Sequence, residues 1–433
     1  MEELTTAAEI GAALRDSRKR TLALVEDLDD DQLLGPRLAI VNPLLWEIGH
    51  VAWFQERWVL RHLRGKPPIL EHGDRLYDST AIAHDTRWDL PLLSRDKTLG
   101  YMSDVLEEIA GSLEQRGREE LSEKEAYLHK LALFHEDMHD EAFTYTRQTL
   151  GYHAPRPPVG GTAAAEDGGS AAGDVELAGG PLLLGASRDA PFVFDNEKWS
   201  HAVEVAPFSI ARTAVSQAGF AEFVEDAGYG RRELWSEPGW IWRTREAASH
   251  PVYWRKQDDG GWQRRRYDEW VELEEHLPVL HVNWYEVEAY CRWAGRRLPT
   301  EAEWELAATE GLEGATRRRH PWGQADPDPA RANLDALAGG CVEVGALSAG
   351  DTPEGCRQML GNVWEWTADD FLPYPGFSVD TYEEYSKPWF GTRKVLRGGC
   401  WVTRSRMMRN TYRNFYEPDR RDVLAGFRTC AAD

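Results

Sequence analysis

Hydrophobic residues recur at helical spacing through the first third of the chain and then give way to short alternating runs. Ile10, Ala13, Leu14, Leu22 and Leu24 mark a helix over residues 7–28. Segments at about 43–63, 99–116 and 122–150 show the same period. Four such helices predict a bundle over residues 1–152, an architecture that builds metal sites from side chains on facing helices. The polar, broken stretch 70–95 between the second and third reads as a functional loop.

Periodicity stops at residues 153–174, where prolines precede small and acidic residues; this predicts a flexible surface linker. From Val175 to residue 433 the pattern becomes short strands with many glycines and aromatics, as in an α+β domain. A hairpin is expected around Gly179-Gly180, with helices over 215–227 and 284–294. Beyond Gly311 the chain reads as loop-rich, and no internal repeat is visible.

Composition narrows the function classes. A chain of 433 residues exceeds one ordinary core, in keeping with two domains. The acidic start, Met1-Glu2-Glu3, lacks the apolar run of a signal peptide, and no stretch is apolar enough to span a membrane. A net charge of −23 argues against nucleic acid or an anionic membrane as partner. Five cysteines without a CxxC fit free thiols in a reducing compartment, so a cytoplasmic enzyme is expected. Most of the 19 tryptophans belong in cores, but their faces also suit cations and sugars.

The sharpest chemical signal is LFHEDMHDEAF, where His135 and His139 are four apart and share one helix face. Such a pair alone is more often two ordinary helix histidines. His50 changes that reading. It lies in NPLLWEIGHVAWFQERW between Trp46, Ile48, Val51, Trp53 and Phe54, where a polar group needs a partner. One helix offering His50 and another offering His135 and His139 would give three nitrogens with open positions beyond them. Imidazole suits iron, zinc, copper or nickel, so the ligands do not choose the metal.

The GH helix, the LPLL segment after an arginine, and HExxH within a long helix resemble the DinB-like domain of ergothioneine sulfoxide synthases. The C-terminal part resembles the formylglycine-generating-enzyme fold, also described as C-type-lectin-like. It does so through residues 278–308, PWG at 321–323, MLGNVWEWTADDF at 359–371, VLRGGCW at 395–401 and RNFYEPDRRDVLAGFR at 413–428. The resemblance implies Fe(II) on His50, His135 and His139, O2 as co-substrate, and Nα-trimethylhistidine (hercynine) as one substrate. A chalcogen would be joined to its imidazole carbon. The active-site tyrosine of the family maps to Tyr382, with Tyr385 and Tyr374 as second and third choices. Asn414 and Phe415 match positions that contact the hercynine end. Structural calcium is compatible with this fold, although no carboxylate set stands out. The copper chemistry of formylglycine-generating enzymes is not expected, because Cys400 and Cys430 are thirty apart and read as structural thiols.

Departures from the pattern bear on the second substrate. Relatives that use γ-glutamylcysteine carry two arginines three apart before LPLL; here Arg87 is kept and His84 stands at the other position. Met138 replaces a glutamine, and Tyr416 replaces an acid. Losing an arginine and an acid weakens the grip on amino-acid ends, while Trp88 and Tyr416 favour a less charged, more aromatic pocket. This resembles the selenoneine synthase branch, which takes a selenosugar. An ergothioneine-type synthase using γ-glutamylcysteine or cysteine is the alternative, and a non-catalytic binding module the third. The sequence leaves oligomeric state open.

Overall fold

The computed structural model describes residues 4–156, 168–309 and 317–432, and the chain divides into two compact units at Arg156/Pro157. The middle of the expected linker, residues 157–167, lies outside the described residues. Its far end is ordered: the amides of Gly168 and Gly169 donate to Glu343, and Asp174 already begins a strand. Among the described residues no helix is long and apolar enough to cross a membrane.

The first unit contains α1 (Ala7–Ala23), α2 (Asp30–Leu34), α3 (Leu44–Gln55), α4 (Gly73–Tyr77), α5 (Arg95–Arg116) and α6 (Glu123–Leu150). Helix α1 starts at a Thr6/Glu9 capping box and α6 at a Ser122/Glu125 box, each satisfying orphan backbone donors. Gly151, left-handed at φ +67, ends α6. Helix α3 is buried on every side over Trp46–Gln55, as expected of a central helix. The predicted helix over 43–63 has one internal change: from Glu56 to Leu63 it becomes π-helical, a rare form frequent at functional sites. The loop 70–95 holds α4 and a 3-10 turn over His84–Asp89.

The second unit contains β1 (Asp174–Leu177), β2 (Gly180–Leu184), β3 (His201–Val205), β4 (Phe208–Ala211), α7 (Gln217–Glu225), α8 (Glu237–Arg245), β5 (Trp254–Lys256), β6 (Trp262–Arg266) and β7 (Glu269–Glu272). It continues with α9 (Trp284–Trp293), β8 (Arg296–Arg297), α10 (Glu301–Thr309), β9 (Trp364–Asp370), β10 (Lys394–Arg397), β11 (Asn414–Tyr416), β12 (Ala425–Gly426) and β13 (Cys430–Ala431). The strands pair as β1-β4-β13-β8, β11-β10-β9-β12, β2-β3 and β5-β6-β7.

The hairpin expected at Gly179-Gly180 does not form. β1 pairs with β4 and β2 with β3, so the glycines carry the chain from one sheet to another. Both have positive φ, and a Cβ on Gly179 would stand 2.3 Å from the Val205 carbonyl, so the corner needs glycine. All five cysteines are free; Cys400 and Cys430 are buried, and burial raises the Cys430 thiol to about 12.

Helix α10 was not foreseen as an element. It carries Glu301 and Glu305 into the core, where Arg397 bonds both at 2.8 and 2.5 Å and Arg413 bonds Glu301 at 2.7 Å. Both arginines are at most 1% exposed. Removing one partner from such a cluster leaves an uncompensated charge. Arg397→Met should therefore cost about 3–5 kcal/mol in denaturant unfolding. Arg292→Met, which breaks the exposed pair with Glu288, should cost less than about 1 kcal/mol.

Candidate metal centre

Helices α3 and α6 bring three imidazoles together. Ligand atoms of His50, His135 and His139 all lie within 4.8 Å of one another. The ring of His50 is 5.1 Å from each of the other two, which are 4.5 Å apart on successive turns of α6. His50 and His135 are buried and His139 is half-buried. Among the described residues no other set of three ligating side chains converges in this way, and no carboxylate set does so for calcium.

The surroundings orient the rings. Nδ1 of His50 lies 2.7 Å from the Tyr77 carbonyl, so it carries the proton and leaves Nε2 free. Nδ1 of His139 donates to Glu47 Oε1 at 2.7 Å, a carboxylate–histidine pair that likewise frees Nε2. His135 lies flat against Phe54, centroids 3.6 Å apart at 4°, and its buried Nδ1 has no hydrogen-bond partner. Burial, with His139 as the next cause, holds the His50 and His135 pKa values well below the usual imidazole value, so both are neutral bases. Three converging imidazoles, two of them held neutral by burial and one ring holding an orphaned atom, fit a single divalent metal ion.

One face of α3 builds this arrangement. Trp46, His50 and Trp53, at i, i+4 and i+7, donate to Leu76 O, Tyr77 O and Asp74 Oδ1, each at 2.7 Å, and so dock the α4 segment. Gly49 makes the docking feasible: a Cβ there would stand 2.3 Å from the Tyr77 ring. Sequence reading missed Glu47, Tyr77 and the role of Gly49. Glu47 left a signal, an acid one turn before His50 in an otherwise apolar helix.

Arg87 is brought close to this centre. Its guanidinium lies 4.0 Å from the Trp46 ring, and that ring stacks on His50 at 4.8 Å and 10°. Arg87 also donates to Asn42 Oδ1 at 2.6 Å, and burial lowers its pKa to about 10. The other donor-side candidates are held by backbone. His84 Nε2 donates to Val41 O at 2.8 Å, and Trp88 Nε1 to Gly35 O at 3.2 Å. Met138 is half-buried, within the turn of α6 that bears His135 and His139.

In the second unit the candidates separate. Tyr374 is 6% exposed, its hydroxyl donates to Glu301 at 3.3 Å, and Arg413 lies 4.1 Å over its ring, which makes it part of the ionic core. Tyr385 stacks on Phe194 at 4.6 Å and meets Phe415 edge-on at 5.9 Å; burial, with Glu197 and Asp195, holds its phenol well above its usual pKa. Tyr382 is half-buried, 6.2 Å from Tyr385. Asn414, Phe415 and Tyr416 are successive residues of β11, so Asn414 and Tyr416 share one face and Phe415 takes the other. Phe415 stacks on Phe371 at 4.1 Å, and the Tyr416 ring lies 5.4 Å from the Arg420 guanidinium.

Known proteins share both halves of this chain. Residues 13–142 match the DinB superfamily, and residues 161–433 match the sulfatase-modifying factor enzyme 1-like domain. The hercynine oxygenase of Mycolicibacterium thermoresistibile is 36% identical over 431 residues, covering 97% of this chain and 94% of that protein. The hercynine oxygenase of Mycobacterium tuberculosis is 36% identical over 431 residues, with 98% and 99% covered. The formylglycine-generating enzyme of Streptomyces coelicolor is 33% identical over 319 residues, covering 65% of this chain and 96% of that enzyme. With a DinB-type helical unit followed by a sulfatase-modifying-factor unit, and with relatives of this identity along nearly its whole length, the chain belongs to the hercynine oxygenase family.

Proposed function

We propose that this protein is a cytoplasmic, Fe(II)- and O2-dependent enzyme that joins selenium, carried by a selenosugar, to the imidazole carbon of hercynine. The convergence of His50, His135 and His139, with ligand atoms within 4.8 Å of one another, carries the reading. Three histidines leave three positions of an octahedral ion for small molecules, and the iron supplies O2 activation when bound. In the overall reaction, hydrogens leave the imidazole carbon and the chalcogen, and O2 takes them up as water; its second oxygen atom ends on the chalcogen.

The chain's own groups set up that reaction. Glu47 and Tyr77 O hold His139 and His50 in the tautomer that presents Nε2. Asn414 and Phe415 of β11 are the proposed contacts to the hercynine end, and Tyr416 is the proposed aromatic group of the donor pocket. Tyr382, which matches the family's active-site tyrosine, is the proposed proton or hydrogen-atom donor, with Tyr385 the second choice and Tyr374, bonded to Glu301, the third. Selenosugar is favoured as donor because Arg87 supplies a buried guanidinium beside Trp46, while the position of a second arginine is taken by His84, whose Nε2 bonds to Val41 O. The 36% identity to hercynine oxygenases supports a second reading, in which γ-glutamylcysteine or cysteine supplies sulfur and a sulfoxide forms.

Three outcomes are expected. Iron content should fall from one per chain to background in His50→Ala and His139→Ala, with activity lost. Glu47→Gln should bind iron about 10–100-fold more weakly. Wild-type iron content in His50→Ala would refute the assignment. For the donor, Fe(II) enzyme with hercynine and O2 should give product faster with a 1-selenosugar than with γ-glutamylcysteine. Turnover with γ-glutamylcysteine alone would replace the selenium reading with the sulfur one.

A further inference from the structure

Behind the three histidines lies a second buried polar group that takes no part in ligation. Arg18 of α1, Gln55 of α3 and Glu136 of α6 form a closed triangle. Arg18 Nε donates to Glu136 Oε1 at 2.7 Å, Arg18 Nη2 to Gln55 Oε1 at 2.9 Å, and Gln55 Nε2 to Glu136 Oε2 at 2.6 Å. Arg18 Nη1 also donates to the Met102 carbonyl of α5, so one guanidinium touches all three other bundle helices. Thr21 Oγ1 lies 2.9 Å from Glu136 Oε1. The three residues are at most 3% exposed.

Stability alone does not explain such a group, because well-packed apolar residues often replace a buried ionic cluster at no loss. Its position does. Gln55 follows His50 by five residues, about 7.5 Å along the axis of α3. Glu136 is the residue next to His135 on α6. The Gln55–Glu136 bond therefore joins the helix that presents one ligand to the helix that presents two. Gln55 is also the last α-helical residue before the π-helical stretch begins at Glu56. A slip of one residue between α3 and α6 amounts to about 1.5 Å, and so does migration of the π boundary towards His50. Either would carry imidazole nitrogens out of their shared position.

We propose that Arg18, Gln55 and Glu136 are positioning residues that set the register of α3 against α6 and thereby the geometry of the metal site. The inference rests on the three-histidine reading. Its test uses the metal-free full-length protein titrated with Co(II), whose visible spectrum reports ligand geometry. Gln55→Met keeps the side-chain length and removes both amide bonds; Gln55→Asn keeps the amide but withdraws it by one methylene. Ser17→Ala is the control. It breaks the 2.8 Å bond from Ser17 to Asp137, another buried tie between α1 and α6, without touching α3.

All three variants should lower the melting temperature. The two Gln55 variants should bind Co(II) about 10–100-fold more weakly, the range found for groups that orient metal ligands. Their spectra should shift, while Ser17→Ala keeps the wild-type affinity and spectrum. If a Gln55 variant fails to fold, the other carries the comparison. Wild-type affinity and spectrum in a folded Gln55 variant, or an equal loss in Ser17→Ala, would overturn the proposal. Failure of the wild-type protein itself to bind one Co(II) would overturn the metal centre, a result separate from any difference among variants.

Discussion

Burying an imidazole is unfavourable unless its nitrogens have partners, and three of them share the space between α3 and α6. Much of the first unit can be understood as meeting that demand. The Tyr77 carbonyl takes the proton of His50, Glu47 takes that of His139, and Phe54 covers the face of His135. These contacts in turn require α4 to dock on α3, and Gly49 leaves the space for Tyr77 to do so. The nitrogens left over converge on a common space, where desolvation keeps His50 and His135 unprotonated.

The same constraint links the centre to its surroundings. Trp46 contributes to both sides: its ring stacks on His50 and lies under the Arg87 guanidinium, while its N–H holds Leu76. A ligand group that draws on Arg87 therefore acts one aromatic ring away from His50. In the second unit, rigidity has a different source. Glu301, Glu305, Arg397 and Arg413 form an ionic core around Tyr374, and the short strands β9, β10 and β11 are anchored on it. That core lets a loop-rich domain present Asn414 and Tyr416 on a fixed strand face.

The bundle was legible in the sequence because its helices are long and strictly periodic, and because His50 is conspicuous among tryptophans. Capping boxes at Thr6 and Ser122 could also be found there. The π-helical change after Gln55 leaves no trace in periodicity, since it shifts hydrogen bonding and not residue type. The second unit was harder. Gly179-Gly180 looks like a hairpin turn, yet its strands pair with β3 and β4, which lie beyond a long intervening loop. Helix α10 reads as charged and short, and its carboxylates are core residues only because Arg397 and Arg413 arrive from nearly a hundred residues away or more. For the site, the three histidines that converge could be picked out from spacing and setting. The orienting groups Glu47, Tyr77 and Gln55 depend on contacts between helices that no local pattern encodes.

The proposed centre holds one iron through one histidine of α3 and two of α6. X-ray absorption at the iron edge of the Fe(II)-loaded protein tests it most directly. Such a centre should give the scattering signature of three imidazole rings per iron, with the remaining positions filled by light, exchangeable ligands. A shell with fewer than three imidazoles, or one dominated by protein carboxylates, would contradict it.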